Sequence, residues 1–251
     1  VLFLDPAAGV REAMVNAAGD LHDVTICDLV VEGAADPDPG SDPNSRRSFR
    51  STANRGGIMF LGQSEGAMKN IRFSNITVRN CTYNGVFVSG AEKVKVIGCD
   101  LSENGSSVVP GPRLQHNLLL THCSEVVVKD CRLVTSPHGS GVVLAHCSNA
   151  LVESCEVARN AYYGILITES ANIRITGNLV EGNDCSGVMA EFLSRGSENI
   201  TVANNLIHYN NGFGVEAYAV RNLKSEKNAY AGNGQTAGQE KISSEKKIVM
   251  P

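Results

Sequence analysis

Residues 71–81 read I-R-F-S-N-I-T-V-R-N-C, and the chain returns to that phrase as V-K-V-I-G-C-D-L-S-E-N at 94–104, V-V-V-K-D-C-R-L-V-T-S at 126–136 and L-V-E-S-C-E-V-A-R-N at 151–160. Ile173, Ile200 and Leu223 open further versions. The shared frame is apolar-x-apolar-x-x-(Cys/Asn)-x-apolar-x-x-Asn. A Gly and a second short apolar run follow, as in Gly141-Val142-Val143-Leu144, Gly164-Ile165-Leu166-Ile167 and Gly187-Val188-Met189-Ala190. Alternation within such short runs marks strands, and between residues 57 and 233 no stretch sustains a period of about 3.6 over a helical length. Strands recurring every ~22–27 residues leave no room for a crossover helix. Each must pair with its equivalent in the next unit, making parallel sheets along a coil with equivalent residues about 4.8 Å apart.

Stacking explains the cysteines. One column runs Ile76, Cys99, Cys131, Cys155, Asn178, Asn205 and Asn228; a second runs Cys81, Asn104, Ser136, Asn160, Asn183, Asn210 and Asn233; a third holds Cys123, Cys147 and Ser170. An inward Asn at a turn satisfies backbone groups and the amide of the Asn above it, and Cys is small enough to bury at the same place. Disulfides between rungs and a zinc site from His122-Cys123 and His146-Cys147 are the competing readings. A repeat-generated His-Cys pair supplies neither C-x-x-C spacing nor converging ligands, so no metal site is assigned.

The frame resembles the right-handed parallel β-helix family, the pectate-lyase-like superfamily with its Asn ladders, over roughly residues 21–233. The resemblance implies an all-β, right-handed parallel β-helix solenoid of about seven to nine coils. It also implies a polysaccharide or oligosaccharide partner and an extracellular or periplasmic location, which no signal segment indicates independently. Lyases, glycoside hydrolases, uronate C5-epimerases, phage tailspikes and proteins without known catalysis share the fold, so it does not select an activity.

Chemistry is best sought where a residue departs from the repeat. Residues 33–56 form a long polar insertion carrying Asp36, Asp38, Asp42, Arg46, Arg47, Arg50 and Arg55. It reads as a substrate-facing loop whose arginines suit sugar carboxylates, or as a solvated loop. Its three aspartates alone keep calcium open, and no other cofactor is indicated. A second interruption, 104–117, delivers Arg113 and His116; the next unit delivers His138 from Ser136-Pro137-His138-Gly139-Ser140, and the one after it Tyr162 and Tyr163. A cation, an imidazole base and a phenol donor are what proton abstraction beside a carboxylate requires. Ser136-Pro137-His138 is similar to the Asp-Pro-His segment of alginate C5-epimerases, but Ser136 and Gly139 stand where that family has acids, so only His138 carries over. At the strand ends, equivalent or adjacent positions hold His122, His146, Glu169, Glu191 and Glu216, with Arg195 nearby; two such glutamates on adjoining rungs suit glycosidase chemistry. Solubility at exposed strand ends explains the same charges.

Met59, Phe87, Leu119, Val143, Leu166 and Met189 fall between inward positions, so an outward face is apolar for six rungs. An apolar stripe of that size predicts a cover: the 33–56 loop, residues preceding the chain, another domain or a further copy. Composition agrees with a coil of small and aliphatic residues: 251 residues contain no Trp, 5% aromatics and 25 Gly. A net charge of −4 argues against nucleic acid, and no apolar run is long enough for a membrane span. The chain begins Val1-Leu2-Phe3-Leu4 without an initiator Met, which reads as a processed product or an excised piece. Residues 1–20 read as an N-terminal segment with a short cap helix over 10–17 ended by Gly19, and 234–251 as a final strand or tail.

Three functions follow as expectations. The first is a lyase or epimerase acting on an acidic polysaccharide through Arg113, His116, His138 and Tyr163, with Arg46, Arg47, Arg50, Tyr162, His146 and Arg195 as substrate contacts. The second is a glycoside hydrolase using two of Glu169, Glu191 and Glu216. The third is a non-catalytic glycan-binding or structural module.

Overall fold

The computed structural model describes residues 2–3, 13–33, 56–105, 115–234 and 239–244. Among them every regular element is a strand, and every pairing is parallel. One unit shows the path. Val142–Ala145 lies in a first sheet, Ser148–Glu153 in a second and Glu156–Ala158 in a third, after which Ile165–Thr168 returns to the first sheet one rung on. Nine strands stack in the first sheet and eight in the second, within the expected number of coils. The third sheet begins and ends as ladders and is bridged in the middle by single pairings of Thr77, Asp100, Arg132 and Glu156. The coil is right-handed, the hand that parallel crossovers adopt.

Alternation within each strand fills the interior. Ile58, Val86, Leu118, Val142, Ile165, Val188 and Val215 occupy one inward column of the first sheet and are buried throughout. Inside the coil Phe60 lies edge-on to Phe73, 5.5 Å between centroids.

Each corner is turned by one residue in the left-handed region, followed by the ladder residue: Ser154 (φ 54°) before Cys155, Arg159 (φ 53°) before Asn160, Asn204 (φ 57°) before Asn205 and Tyr209 (φ 54°) before Asn210. Left-handed backbone at a non-Gly residue costs on the order of 1 kcal/mol, and the ladder offsets it. Asn183 shows how. Its backbone N–H donates to Asn210 Oδ1 at 3.1 Å, its amide donates to Val157 O at 3.2 Å and Asn210 Oδ1 at 2.7 Å, and its Oδ1 accepts from the backbone and side chain of Asn160 at 3.1 and 2.9 Å. The first column links Cys155, Asn178, Asn205 and Asn228 in the same way.

The second column contains a substitution that the repeat does not show. Ser136 is too short to reach both neighbours, and Asn117, one turn segment away, inserts its amide instead: Asn117 Oδ1 accepts from Asn104 and Asn117 Nδ2 donates to Asn160 Oδ1 at 3.0 Å. None of the eight cysteines forms a disulfide. Burial pushes the Cys81 thiol far above its ordinary range, which keeps it a neutral S–H.

The N-terminal segment requires a correction. Within the stretch expected as a cap helix, Ala13–Ala18 is the first strand of the first sheet, with Ala13, Val15 and Ala17 in register with Gly56, Ile58 and Phe60. Ala13, Val15 and Ala17 alternate, so one sheet-facing row suffices, and pairing with the next rung overrides helical propensity. Gly19 ends the strand at φ 92°, its N–H donating to Leu61 O at 3.0 Å. At the other end Glu240–Ser243 adds the ninth strand. Most of the 33–56 insertion, with Asp36, Asp38, Asp42, Arg46, Arg47 and Arg50, lies outside the described residues, as does Arg113.

Candidate active face of the first sheet

The outward side of the first sheet carries two columns. Register places Met59, Phe87, Leu119, Val143, Leu166, Met189, Glu216 and Lys241 in one. Thr121, Ala145, Thr168 and Glu191 lie in the other, which continues to Tyr218. The apolar column is covered over its C-terminal half, where Val143, Leu166 and Met189 form a second buried cluster with Tyr162, Tyr163 and Tyr218. The cover there includes the chain's own aromatic residues, Tyr162 and Tyr163 from the turn before Ile165–Thr168 and Tyr218 from the strand Val215–Tyr218. The Tyr162 and Tyr163 rings lie 4.1 Å apart. Burial, then the Tyr162 hydroxyl, raises the Tyr163 phenol so far that it is a permanent O–H.

Where the apolar column ends, charge begins. Glu216 sits one rung beyond Met189. Its Oε1 accepts from the Tyr218 hydroxyl at 2.6 Å, its Oε2 from the Ser186 hydroxyl at 2.6 Å, and Lys241 Nζ stands 3.9 Å from Oε1. Lys241 also lies 5.4 Å from the centroids of Phe213 and Tyr218. Glu191 sits diagonally beside Glu216, about 8 Å away between Cα atoms from one strand spacing and two residues of rise. Its Oε1 accepts from the Thr168 hydroxyl at 2.8 Å. Glu191 is 8% exposed and Glu216 9%. Burial raises the Glu191 carboxyl and nearby Glu169 raises it further, against the opposing Thr168 hydrogen bond. Two carboxyls therefore share one face, one biased towards its acid form and the other ringed by donors and a cation.

Glu169 has another task. It occupies the corner column of His122 and His146, all three in the left-handed region. Its Oε1 accepts from Ser194 N–H at 2.6 Å, Ser194 Oγ at 2.5 Å and Arg195 N–H at 2.7 Å, while Oε2 lies 3.3 Å from His146 Nδ1. Burial opposes its ionisation, but the Ser194 hydroxyl, the two N–H groups and His146 together hold the carboxyl down at about 2. Glu169 thus anchors the turn that follows Glu191 and carries Arg195, and His146 stacks on His122 at 4.6 Å. A depressed carboxyl stabilises the fold above its unfolded pKa, near 4.3, and loses that contribution as pH falls towards its folded value. Glu169→Gln should therefore lower stability at pH 7 by roughly 2 kcal/mol. The deficit should close between about pH 4.5 and pH 2 in thermal melts.

The remaining predicted residues are not brought into this face. His116 is buried, its Nδ1 accepting from Ser140 N–H at 3.0 Å and its own N–H donating to Asn84 Oδ1 at 2.7 Å. Burial, then nearby His138, lowers the imidazole to about 3. It is a neutral structural acceptor, which corrects its reading as an acid or base. Ser136 belongs to the ladder, its hydroxyl donating to Asn104 O and Gln115 O. A Cβ at Gly139 would lie 1.6 Å from Gln115 O, so backbone approach excludes the acid that the epimerase segment carries there. Gly139→Asp should cost several kcal/mol, on the order of 3, without creating activity, as read by melting temperature and assay together. His138 is half-buried in the turn leading to Val142 and interacts with His116.

Thr168, Ser186, Tyr218 and Lys241 were not singled out from sequence. Lys241 had a signal: the strand register, extended one rung past Glu216 in the outward column, reaches it. The Thr168 and Ser186 hydroxyls had none, because they lie 23 and 30 residues from the carboxylates they hold, whereas Tyr218 stands two residues from Glu216 on the same strand.

The profile of the right handed beta helix region family matches residues 116–246, just over half of the chain. This chain belongs to that family. No curated protein matches it in a sequence comparison. Among solved structures, the β-helix resembles the periplasmic alginate epimerase AlgG at TM-score 0.55 and 13% identity, over 94% of this chain and 62% of that one. It resembles the enzymatically active domain of bacteriophage CBA120 tailspike protein 2 at TM-score 0.64 and 12% identity, covering 96% and 37%. It resembles PfbA, a surface adhesin of Streptococcus pneumoniae, at TM-score 0.60 and 13% identity, covering 98% and 63%. The β-helix spans under two thirds of each, and identities this low speak for the fold alone.

Among the described residues of the β-helix, no group of three His, Cys, Asp or Glu is placed to hold a metal ion, and no helix is long and apolar enough to cross a membrane.

Proposed function

We propose that this β-helix protein acts on a polysaccharide laid across the outer face of the first sheet, hydrolysing a glycosidic bond with Glu191 as proton donor and Glu216 as the second carboxyl of the pair. The observation that carries the reading is the pair of nearly buried carboxyls on adjoining rungs, with Glu191 pushed towards its acid form and Glu216 held by Tyr218, Ser186 and Lys241. An acid whose proton is held more tightly than usual suits protonation of a leaving oxygen, and the second carboxyl of such a pair activates water or stabilises positive charge at the sugar carbon. Water adds across the broken bond, its hydroxyl to the anomeric carbon and a proton to the leaving oxygen.

Proton abstraction from an acidic sugar is the second reading, supported by the structural likeness to an alginate epimerase. Its groups are less favourably disposed here, since His116 is sealed as a neutral acceptor and His138 alone could serve as base. The neighbours described as periplasmic and surface proteins support an extracellular or periplasmic location. Incubation with alginate, polygalacturonate, glucuronan and neutral glycans separates the readings. Reducing ends without unsaturated-uronate absorbance support hydrolysis. Absorbance at the unsaturated bond, or an altered epimer ratio by NMR, transfers the assignment to proton abstraction. Silence in all three readouts across the panel rejects both.

A further inference from the structure

The second sheet faces solvent on the other side of the coil, and its surface differs in charge. Strand register stacks Arg72, Lys95, Val127, Leu151 and Arg174 in one outward row that continues through Thr201 to Lys224. No acid interrupts it. Arg72 and Lys95 are directly in register on adjacent strands, where like charges repel, although the whole chain carries a net charge of −4. Lys95, Arg174 and Lys224 make no ion pair among the described residues.

A shallow cavity of about 500 Å³ opens on this row. Its floor is Val127 and Leu151, both half-buried, and its rim includes Asn70, Lys93, Lys95 and Asn149. Glu125 also lines it, and Lys93 is partly neutralised by Glu92 at 3.5 Å. Beside the cavity the rim continues as an exposed amide ladder: Asn172 donates to Asn149 at 3.0 Å, Asn199 to Asn172 at 3.0 Å and Asn222 to Asn199 at 2.9 Å. Each internal amide commits one N–H and one oxygen lone pair to the ladder and keeps one of each for a ligand. Donor and acceptor side by side match vicinal hydroxyls, and one amide per strand suits a ligand that itself repeats.

We infer that the outer face of the second sheet is a non-reacting track that binds an anionic polysaccharide. The amides take sugar hydroxyls, the Val127 and Leu151 floor takes the C–H face of a ring, and Lys95 with its neighbouring cations takes carboxylates. No aromatic side chain stands in the cationic row to stack a base, which favours a polysaccharide over a nucleic acid. The inference shares with the proposed function the premise that the partner is a polysaccharide, and it stands on a surface separate from Glu191 and Glu216.

Affinity electrophoresis in gels containing alginate, polygalacturonate or dextran, each compared with a polymer-free gel, tests it. Wild type should be retarded by at least one polyuronate and not by dextran. The Lys95→Glu/Arg174→Glu variant should bind about tenfold more weakly, and the charge-neutral Asn172→Ala variant should also weaken. Glu216→Gln should abolish hydrolysis while retardation persists, so loss of hydrolysis and loss of second-sheet binding are read separately. The inference fails if wild type is not retarded by either polyuronate, or if the double variant binds as well as wild type. Tighter binding to poly(dT) than to polyuronate overturns it in favour of nucleic acid. A dimer or larger species in sedimentation that the double variant dissociates overturns it in favour of self-association.

Discussion

Under the proposed hydrolysis, Glu216→Gln should leave a folded coil with kcat/KM reduced by about 10³-fold or more, the range expected when an acid-base group is neutralised. The amide keeps the shape and one acceptor for the Tyr218 hydroxyl, so the loss reports charge rather than collapse. Glu191→Gln should have a comparable effect on rate and should also raise stability at high pH. A carboxyl raised by burial is stabilising in its neutral form, at pH below its unfolded value near 4.3, and that stability is lost as pH rises through the folded value. The amide escapes this penalty. Glu191→Gln should therefore melt above wild type at pH 8, with the gap closing towards pH 4. If both variants retain wild-type turnover on a substrate that the wild type cleaves, the carboxyl pair is not the reacting centre.

Asn183→Ala produces the largest expected loss of stability. It strands the backbone and side-chain N–H groups of Asn160, the carbonyl of Val157 and one acceptor position on Asn210, all buried. Several unsatisfied groups at 1–3 kcal/mol each, partly relieved by relaxation, total roughly 3–5 kcal/mol. For a chain of this size that corresponds to about 10 °C in melting temperature. Asn178→Cys should cost less, because its column already accommodates Cys131 and Cys155. There the Cys155 thiol donates to Glu153 O at 3.2 Å instead. Equal losses for Asn183→Ala and Asn178→Cys in thermal melts would reject the account of the ladders as hydrogen-bond relays.

The fold was legible because its determinants are local and repeated: the frame at 71–81 already carries the two apolar alternations and the corner residue that define a rung. The apolar outward stripe was legible, but its cover was not. Tyr162 and Tyr163 read equally well as groove lining until their rings lie on Val143, Leu166 and Met189. Glu191 and Glu216 stood out in the sequence as acids near the ends of successive second strands. Glu169, in the same sequence pattern, turned out to anchor a turn, and only the direction of its carboxylate distinguishes the two roles.

The sequence by itself determined the parallel coil, the Asn and Cys columns and the positions where charge replaces an apolar residue, because a period of about one rung encodes neighbours that touch. Tertiary structure alone decided which of those charges face one another. Glu216 takes donors from Ser186, one rung back, and from Tyr218, two residues along its own strand, and His116 is silenced by the Ser140 backbone. Partners across rungs are chosen by side-chain direction and burial, which a repeat specifies for its scaffold but not for the residues that depart from it.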